Sequence, residues 1–499
     1  MFKFLSKFSE EEINKFHKFI ISPYHNTNKN LVKLFKFVSA EFKIDPKKNI
    51  NKKILFRKLY RTGAYDDVKL RKLISDFYKL LDKFLLQLEI EKNEFRNMIL
   101  ISESNLRYGM INNFFKKAEK IKIIIDYDCV ENENQYLDNF IFLRMYESHK
   151  NHILDQNDYK GFDQTISNLE NFFISAKLTS LIEYLSIKEI NSYKKAGRKL
   201  EFMDTILLNI ENNFDKIKKN HPLIYVKYLS LKMFSNFDDD KYFKLLLSFF
   251  ESNKNICKGE ILNIYTFSVI SFSSYKLNSS GNILFYQKIY FNTTDFLIIN
   301  NYKHLILFNG YITPSGYLCS VTSALALKEY KWAKSFIEDF KEFLVKDSAN
   351  NVYNFANLIY YHSQKNLDKM HYFLNKINYT IPYYYYNSKI FLIIFHFEKN
   401  NIVQLEYEIK NLRSYCNENK KITEEQKNMV LIFLKYIHLL LKCIGNEKNK
   451  DKTNLAIFKS KLDKESSVVL KKSWFYEIAE ELKKGVYKQN RRSSDEVQT

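Results

Sequence analysis

An all-α fold is predicted for this 499-residue chain by three observations. Glycine (10) and proline (5) are each at or below about a third of their usual frequency, too few for β-sandwiches or barrels, which turn every ~8–12 residues. Apolar residues recur at helical spacing over long stretches. Three segments also repeat one pattern. Tyr330-Lys331-Trp332-Ala333-Lys334-Ser335-Phe336-Ile337 is echoed by Leu367-Asp368-Lys369-Met370-His371-Tyr372-Phe373-Leu374 and by Ile402-Val403-Gln404-Leu405-Glu406-Tyr407-Glu408-Ile409. From Ala333 to Met370 to Leu405 the steps are 37 and 35 residues, a period that marks stacked helix pairs. It identifies an architecture and leaves the activity open.

The elements follow in order. Ser9 with Glu12 forms a capping box, flanked by Phe8 and Ile13 as a hydrophobic staple, and predicts a helix over 10–21. Leu31, Leu34, Phe35 and Val38 give the next helix its apolar face, and a third carries Ile54, Leu55, Leu59 and Tyr60 and stops near Gly63. Leu70, Leu73, Ile74, Phe77, Leu80, Leu81, Phe84, Leu85 and Leu88 form the clearest stripe, on one helix over 66–96. Residues 1–100 are therefore read as a compact helical module.

Residues 101–316 read as an irregular helical-repeat region, with Leu169, Ile210 and Phe250 near the ends of successive helices, 41 and 40 residues apart. Breaks are expected at Asn157-Asp158, Ala196-Gly197, His221-Pro222 and 238–240. The aromatic stretch 283–312 is the hardest to read, and the surrounding period favours helix there. Residues 317–445 carry the regular pairs, with first helices near 317–327, 352–362 and 384–397. Thr423 with Gln426 caps a closing helix over 424–444, stopped by Gly445. Residues 446–453 read as a Lys-rich linker. A last helix over 468–482 brings Trp474, Phe475 and Ile478, and the tail from Lys488 reads as disordered.

The regular pairs resemble the tetratricopeptide family. Ala333, Met370 and Leu405 match its small packing position early in the second helix, and Ile337, Leu374 and Ile409 match the large apolar position one turn later. Pro382 falls where that family often ends a second helix. The first-helix Trp-Leu-Gly-Tyr pattern is missing, and Met370 and Leu405 are larger than the usual alanine. The layout, a basic module followed by irregular repeats, is also similar to a group of long uncharacterised bacterial tetratricopeptide-like proteins. The resemblance implies an α-solenoid whose concave groove, lined by first helices, takes a peptide or helix. In the family register that groove includes Phe355, Ile359, His362, Ile390, Ile394 and Phe397. The Lys and Asn clamp for terminal carboxylates is absent there, so an apolar or aromatic segment, or intramolecular packing, is the expected occupant.

No catalytic constellation emerges. There is no P-loop, and Gly310 to Gly316 lacks the Gly-Lys-Ser/Thr ending one needs. His149 and His152 could share a metal but have no third ligand. Ser192 with Lys195 and Ser273 with Lys276 show Ser-x-x-Lys spacing without its partner motifs. Asp238-Asp239-Asp240 precedes a helix and suits N-terminal capping. The Tyr383-Tyr384-Tyr385-Tyr386 run is expected to divide between core and groove. No cofactor and no metal are expected, and a non-enzymatic interaction scaffold is the leading reading.

The formal net charge is +21 and the pI about 9.3. Residues 1–100 hold 18 Lys and 4 Arg against 12 acidic residues, so a fifth of the chain carries about half the excess. Lys52, Lys53, Arg57, Lys58, Arg61, Lys69, Arg71 and Lys72 gather around one turn, which makes nucleic-acid binding the alternative. Arg, the better phosphate and guanine reader, is scarce at 10 of 78 basic residues. Five cysteines without C-x-x-C spacing indicate neither disulfides nor a thiolate zinc site, which fits a cytoplasmic protein. No stretch has the ~20 apolar residues a membrane span needs. The expected partner is a protein or peptide of unknown identity.

Overall fold

The computed structural model describes residues 5, 7–45, 51–60, 64–127, 130, 132–154, 160–190, 202–277, 283–444, 451–465 and 467–483. Among the described residues the chain is all-α, with 23 α-helices. The only β features among them are isolated bridges, Phe308 with Tyr311 and Ile312 with Leu344. The chain forms two compact units, Met1–Cys129 with Asn134–Phe172, and Val130–Glu133 with Phe173–Thr499.

The first unit begins with the Glu10–Ile21 helix, where Ser9 Oγ accepts from Glu12 N–H and Glu12 Oε2 accepts from Ser9 N–H. Reciprocal capping of this kind satisfies two otherwise unpaired groups. Its core is aromatic: the Phe16 ring meets Phe35, Phe77 and Phe84 at centroid distances of 5.0, 5.7 and 5.0 Å. The long amphipathic stripe forms the Asp67–Lys92 helix. It ends earlier than the periodicity suggests, because the Asn93 side chain accepts from Arg96 N–H and caps a new helix, Glu94–Arg107. A separate small core follows, around Ile99, Phe114, Phe142 and Tyr146.

In the second unit, a fully buried lysine joins several helices. Lys227, on Pro222–Ser235, lies 2.8 Å from Glu133 Oε2, donates to Ser175 Oγ at 2.9 Å and pairs with the Glu260 carboxylate. Glu260 Oε2 accepts from Glu133 N–H at 2.8 Å, and Thr179 Oγ1 donates to Glu133 Oε2 at 3.1 Å. A buried ammonium is tolerated only when paired and hydrogen-bonded in this way.

Beyond it, helices pack pairwise. Pro222–Ser235 and Lys241–Ser252, then Gly259–Leu277 and Ile283–Ile299, then Pro314–Ala326 and Tyr330–Asp339, then Lys346–Ser363 and Leu367–Leu374, and then Pro382–Glu398 and Ile402–Glu418 are successive partners. First helices also touch across pairs: Pro222–Ser235 packs on Gly259–Leu277, and Pro314–Ala326 on Lys346–Ser363. The 283–312 stretch is helix to Ile299, then a 3-10 turn and the Phe308–Tyr311 reversal.

The repeat is also visible in the backbone. Lys328, Lys365 and Asn400, 37 and 35 residues apart, are left-handed, with φ of 64°, 53° and 54°. At each, the following N–H reaches back to close the first helix: Glu329 to Ala324 O, Asn366 to Tyr361 O, and Asn401 to His396 O, at 2.9, 3.0 and 2.9 Å. This is the Schellman closure, which normally recruits glycine. Asn366 and Asn401 then cap the second helices through their side chains. Ala333, Met370 and Leu405 are all fully buried, as are Ile337 and Leu374, and Ile409 nearly so.

Pro382 opens the Pro382–Glu398 helix at its first turn rather than ending the helix before it. The Glu424–Ile444 helix starts at the expected capping box, Thr423 with Gln426. The Asp451–Lys464 helix begins inside the segment read as a linker. Its lysines mask a stripe of Leu455, Phe458 and Leu462, all buried against the closing helices. Lys472–Lys483 is the last described helix, and the tail from Lys488 and the breaks at 157–158 and 196–197 lie outside the described residues.

A left-handed lysine costs about 1–2 kcal/mol relative to glycine, and the exposed Lys328 side chain recovers none of it through a hydrogen bond or ion pair among the described residues. Lys328→Gly is therefore expected to stabilise the protein by about 1 kcal/mol after the added freedom of the unfolded chain is subtracted. Urea or thermal unfolding checks this.

Candidate functional site on the C-terminal helix pairs

The six groove candidates lie on two adjacent first helices, Phe355, Ile359 and His362 on Lys346–Ser363, and Ile390, Ile394 and Phe397 on Pro382–Glu398. Phe355, Ile390, Ile394 and Phe397 are buried, at 2%, 1%, 0% and 3% exposure. Phe355 packs edge-on against Tyr384 and Phe391, at 5.5 and 6.1 Å. Ile359 and His362 are half-buried. Four of the six are thus packing residues of this conformation, and two reach the surface.

The chain's own last helix covers one end of this face. Trp474 meets Phe397 edge-on at 5.4 Å, and its indole N–H donates to Glu398 Oε1 at 2.7 Å. Lys365 reaches Glu481 at 3.0 Å. Lys471, left-handed at φ 58°, places its ammonium 3.8 Å from the centre of the Phe391 ring, which His362 also meets edge-on. The inner face of Lys472–Lys483 contributes Trp474, Phe475, Ile478 and Ala479 to the core.

The electrostatics of this junction follow from burial. Burial pulls the Lys471 amine from its ordinary 10.5 to about 7, and among the described residues no carboxylate lies at ion-pair distance from it. Burial, reinforced by Lys471 and Lys365, pulls His362 down to about 3. Burial raises the Glu398 carboxyl, against the opposing hydrogen bond from Trp474. In Lys365 the Glu481 hydrogen bond raises the amine.

The Tyr run divides: Tyr384 and Tyr386 are buried at 5% and 4%, whereas Tyr383 keeps 42% of its surface exposed. Burial of its hydroxyl, with Tyr386, Cys319 and Tyr384 nearby, pushes the Tyr383 phenol well up. Cys319, half-buried on Pro314–Ala326, is likewise pushed up by burial. Cys257 and Cys416 rise to about 11, so these thiols stay protonated at neutral pH and are poor nucleophiles. None of the four described cysteines is in a disulfide, and Cys129 lies outside the described residues.

Other candidates are placed as follows. His149 Nδ1 lies 2.8 Å from Met145 O; the His152 side chain and the Ser192 and Lys195 pair lie outside the described residues. Ser273 is buried, and Lys276 turns to Asp240 at 3.0 Å. Asp240 is the N-cap of the Lys241–Ser252 helix without a side-chain capping bond, and Asp239 before it accepts from Lys241 N–H at 2.8 Å. Among the described residues no group of three His, Cys, Asp or Glu could hold a metal, and no helix is long and apolar enough to cross a membrane.

In the first unit Lys52, Lys53, Arg57, Lys58, Lys69, Arg71 and Lys72 are exposed, and Arg61 lies outside the described residues. Arg71 and Lys52 share Asp67, at 2.6 and 3.9 Å, and Lys69 sits 4.3 Å from the Tyr60 ring centre. Compared with protein-family models, with curated proteins and with solved structures, the chain has no match.

For Lys471 the folded value lies below the unfolded one, so the penalty of burying its charge is full below about pH 7 and shrinks as pH rises toward 10.5. His362 gives the same sign in a lower window, with stability rising from about pH 3 to 6.5. Stability is accordingly expected to rise between about pH 7 and 9, and Lys471→Met should flatten that rise and raise Tm at pH 7. Urea titrations of both proteins across that range check it.

Proposed function

We propose that this chain is a non-enzymatic, cytoplasmic interaction scaffold: an irregular tetratricopeptide-like α-solenoid that holds a peptide or helix of a partner protein on its first helices. The observation that carries this reading is that the face formed by Lys346–Ser363 and Pro382–Glu398 already holds an amphipathic helix, the chain's own Lys472–Lys483, through Trp474 and Lys471. A surface that binds one helix by an aromatic anchor and a flanking ion pair has the chemistry to bind another. On the part left open, Tyr383 and Cys319 lie near each other, and with the half-buried Ile359 they offer hydroxyl, thiol and apolar groups. These groups suit an uncharged apolar or aromatic segment, since they supply no counter-ion to a charged one desolvated against them.

Affinity capture with the intact chain and with Ile359→Asp tests this. The expected outcome is a specific partner lost with Ile359→Asp but retained with Tyr407→Ser on a second helix, both variants keeping wild-type helicity. An unchanged partner profile with Ile359→Asp would contradict the reading.

The second reading is nucleic-acid binding by the first unit, favoured by the seven exposed basic side chains on Lys52–Tyr60 and Asp67–Lys92. Binding of that kind weakens steeply with salt, by about one unit of log K per log salt for each phosphate contacted. A flat salt response, or no binding at about 50 mM salt, removes it.

A further inference from the structure

The second unit contains a cavity of about 600 Å³, bounded by Pro222–Ser235 and the Phe237 turn that follows it, by Gly259–Leu277, Ile283–Ile299 and the first turn of Pro314–Ala326, and by Ser186. That volume falls within the roughly 300–1,000 Å³ of small-molecule sites. One wall is aromatic: Phe237 lies 5.6 Å from Phe234 and 4.3 Å from Tyr275, ring centre to ring centre. Phe234 and Phe237 are buried, while Tyr275 is 39% exposed and forms an accessible edge. The remaining lining is hydroxylic, including Ser271, Ser315 and Tyr290. Tyr290 is buried and its hydroxyl donates to Gly316 O at 3.2 Å, which fixes that wall against the start of Pro314–Ala326.

Charge is what this cavity lacks. None of the described residues lining it is acidic, basic or histidine. The neighbouring Lys276 ammonium is held at Asp240 instead, 3.0 Å away. An ionised ligand entering here would lose hydration with no counter-charge to replace it. A flat uncharged ring would stack on the Phe237 and Tyr275 wall, and a neutral oxygen on it would find the serine hydroxyls and the positive end of the Pro314–Ala326 helix dipole. We propose that this cavity is a binding site for an uncharged aromatic small molecule bearing a hydroxyl or carbonyl oxygen. The site stands apart from the scaffold reading and needs no protein partner.

The probe is 2-naphthol, titrated calorimetrically into the full chain near pH 7.5, with 2-naphthoate as the charged counterpart. Saturable one-to-one binding of 2-naphthol is expected, with 2-naphthoate weaker by about tenfold or more. Ser271→Phe, which puts a ring into the cavity, should weaken 2-naphthol by about tenfold or more, and Tyr275→Ala, which removes the exposed edge of the wall, by about fivefold. Should Ser271→Phe fail to fold, Tyr275→Ala alone decides. No saturable binding up to about 1 mM, equal binding of 2-naphthoate, or unchanged affinity in the folded variants overturns the proposal.

Discussion

The left-handed reversal between the two helices of a pair is the constraint on which the C-terminal half depends. Lys328, Lys365 and Asn400 each end a first helix, and the hydrogen bond that follows each one sets the direction of the second. Once that direction is set, Ala333, Met370 and Leu405 must point into the pair, where they are fully buried. A helix pair of this length cannot cover its own apolar face, so each pair needs the next. The last needs closing helices, which Glu424–Ile444, Asp451–Lys464 and Lys472–Lys483 supply.

Lys227, fully buried, and Lys471, half-buried, show how differently the fold treats charge. Lys227 has two carboxylates and a serine around its ammonium, and leaving such an ammonium without a carboxylate costs about 3–5 kcal/mol. Lys471 has the face of Phe391 and no carboxylate at ion-pair distance among the described residues, a contact worth about 0.5–2 kcal/mol. The apolar side of Lys472–Lys483 outweighs that deficit, since Trp474, Phe475, Ile478 and Ala479 are all buried. The first lysine fixes register, and the second makes the seating of the last helix sensitive to pH.

Much of the fold was legible because it is local. The Ser9 and Thr423 capping boxes, the 70–88 stripe and the repeated packing positions depend on residues within a few turns of one another, and each is found where expected except Leu85, which the stripe included and the fold leaves 39% exposed. Composition misled at 451–453, read as linker, which open the helix that buries Leu455, Phe458 and Leu462. Burial was the harder problem at the candidate site. Periodicity places Phe355, Ile390, Ile394 and Phe397 on first helices but does not say which side faces the packing, and all four are buried. The cavity gave no signal at all, because Phe237, Tyr275, Tyr290 and Ser315 meet only through the packing of four helices.

The proposed scaffold function requires that the face around Tyr383, rather than the outer face of the second helices, receives a partner. A photo-crosslinking phenylalanine derivative at Tyr383, compared with the same group at Tyr407, tests it directly, since both side chains are well exposed at 42% and 57%. Discrete crosslinked species from position 383 and none from 407 are predicted. Crosslinks from 407 alone, or none from 383, would contradict the claim.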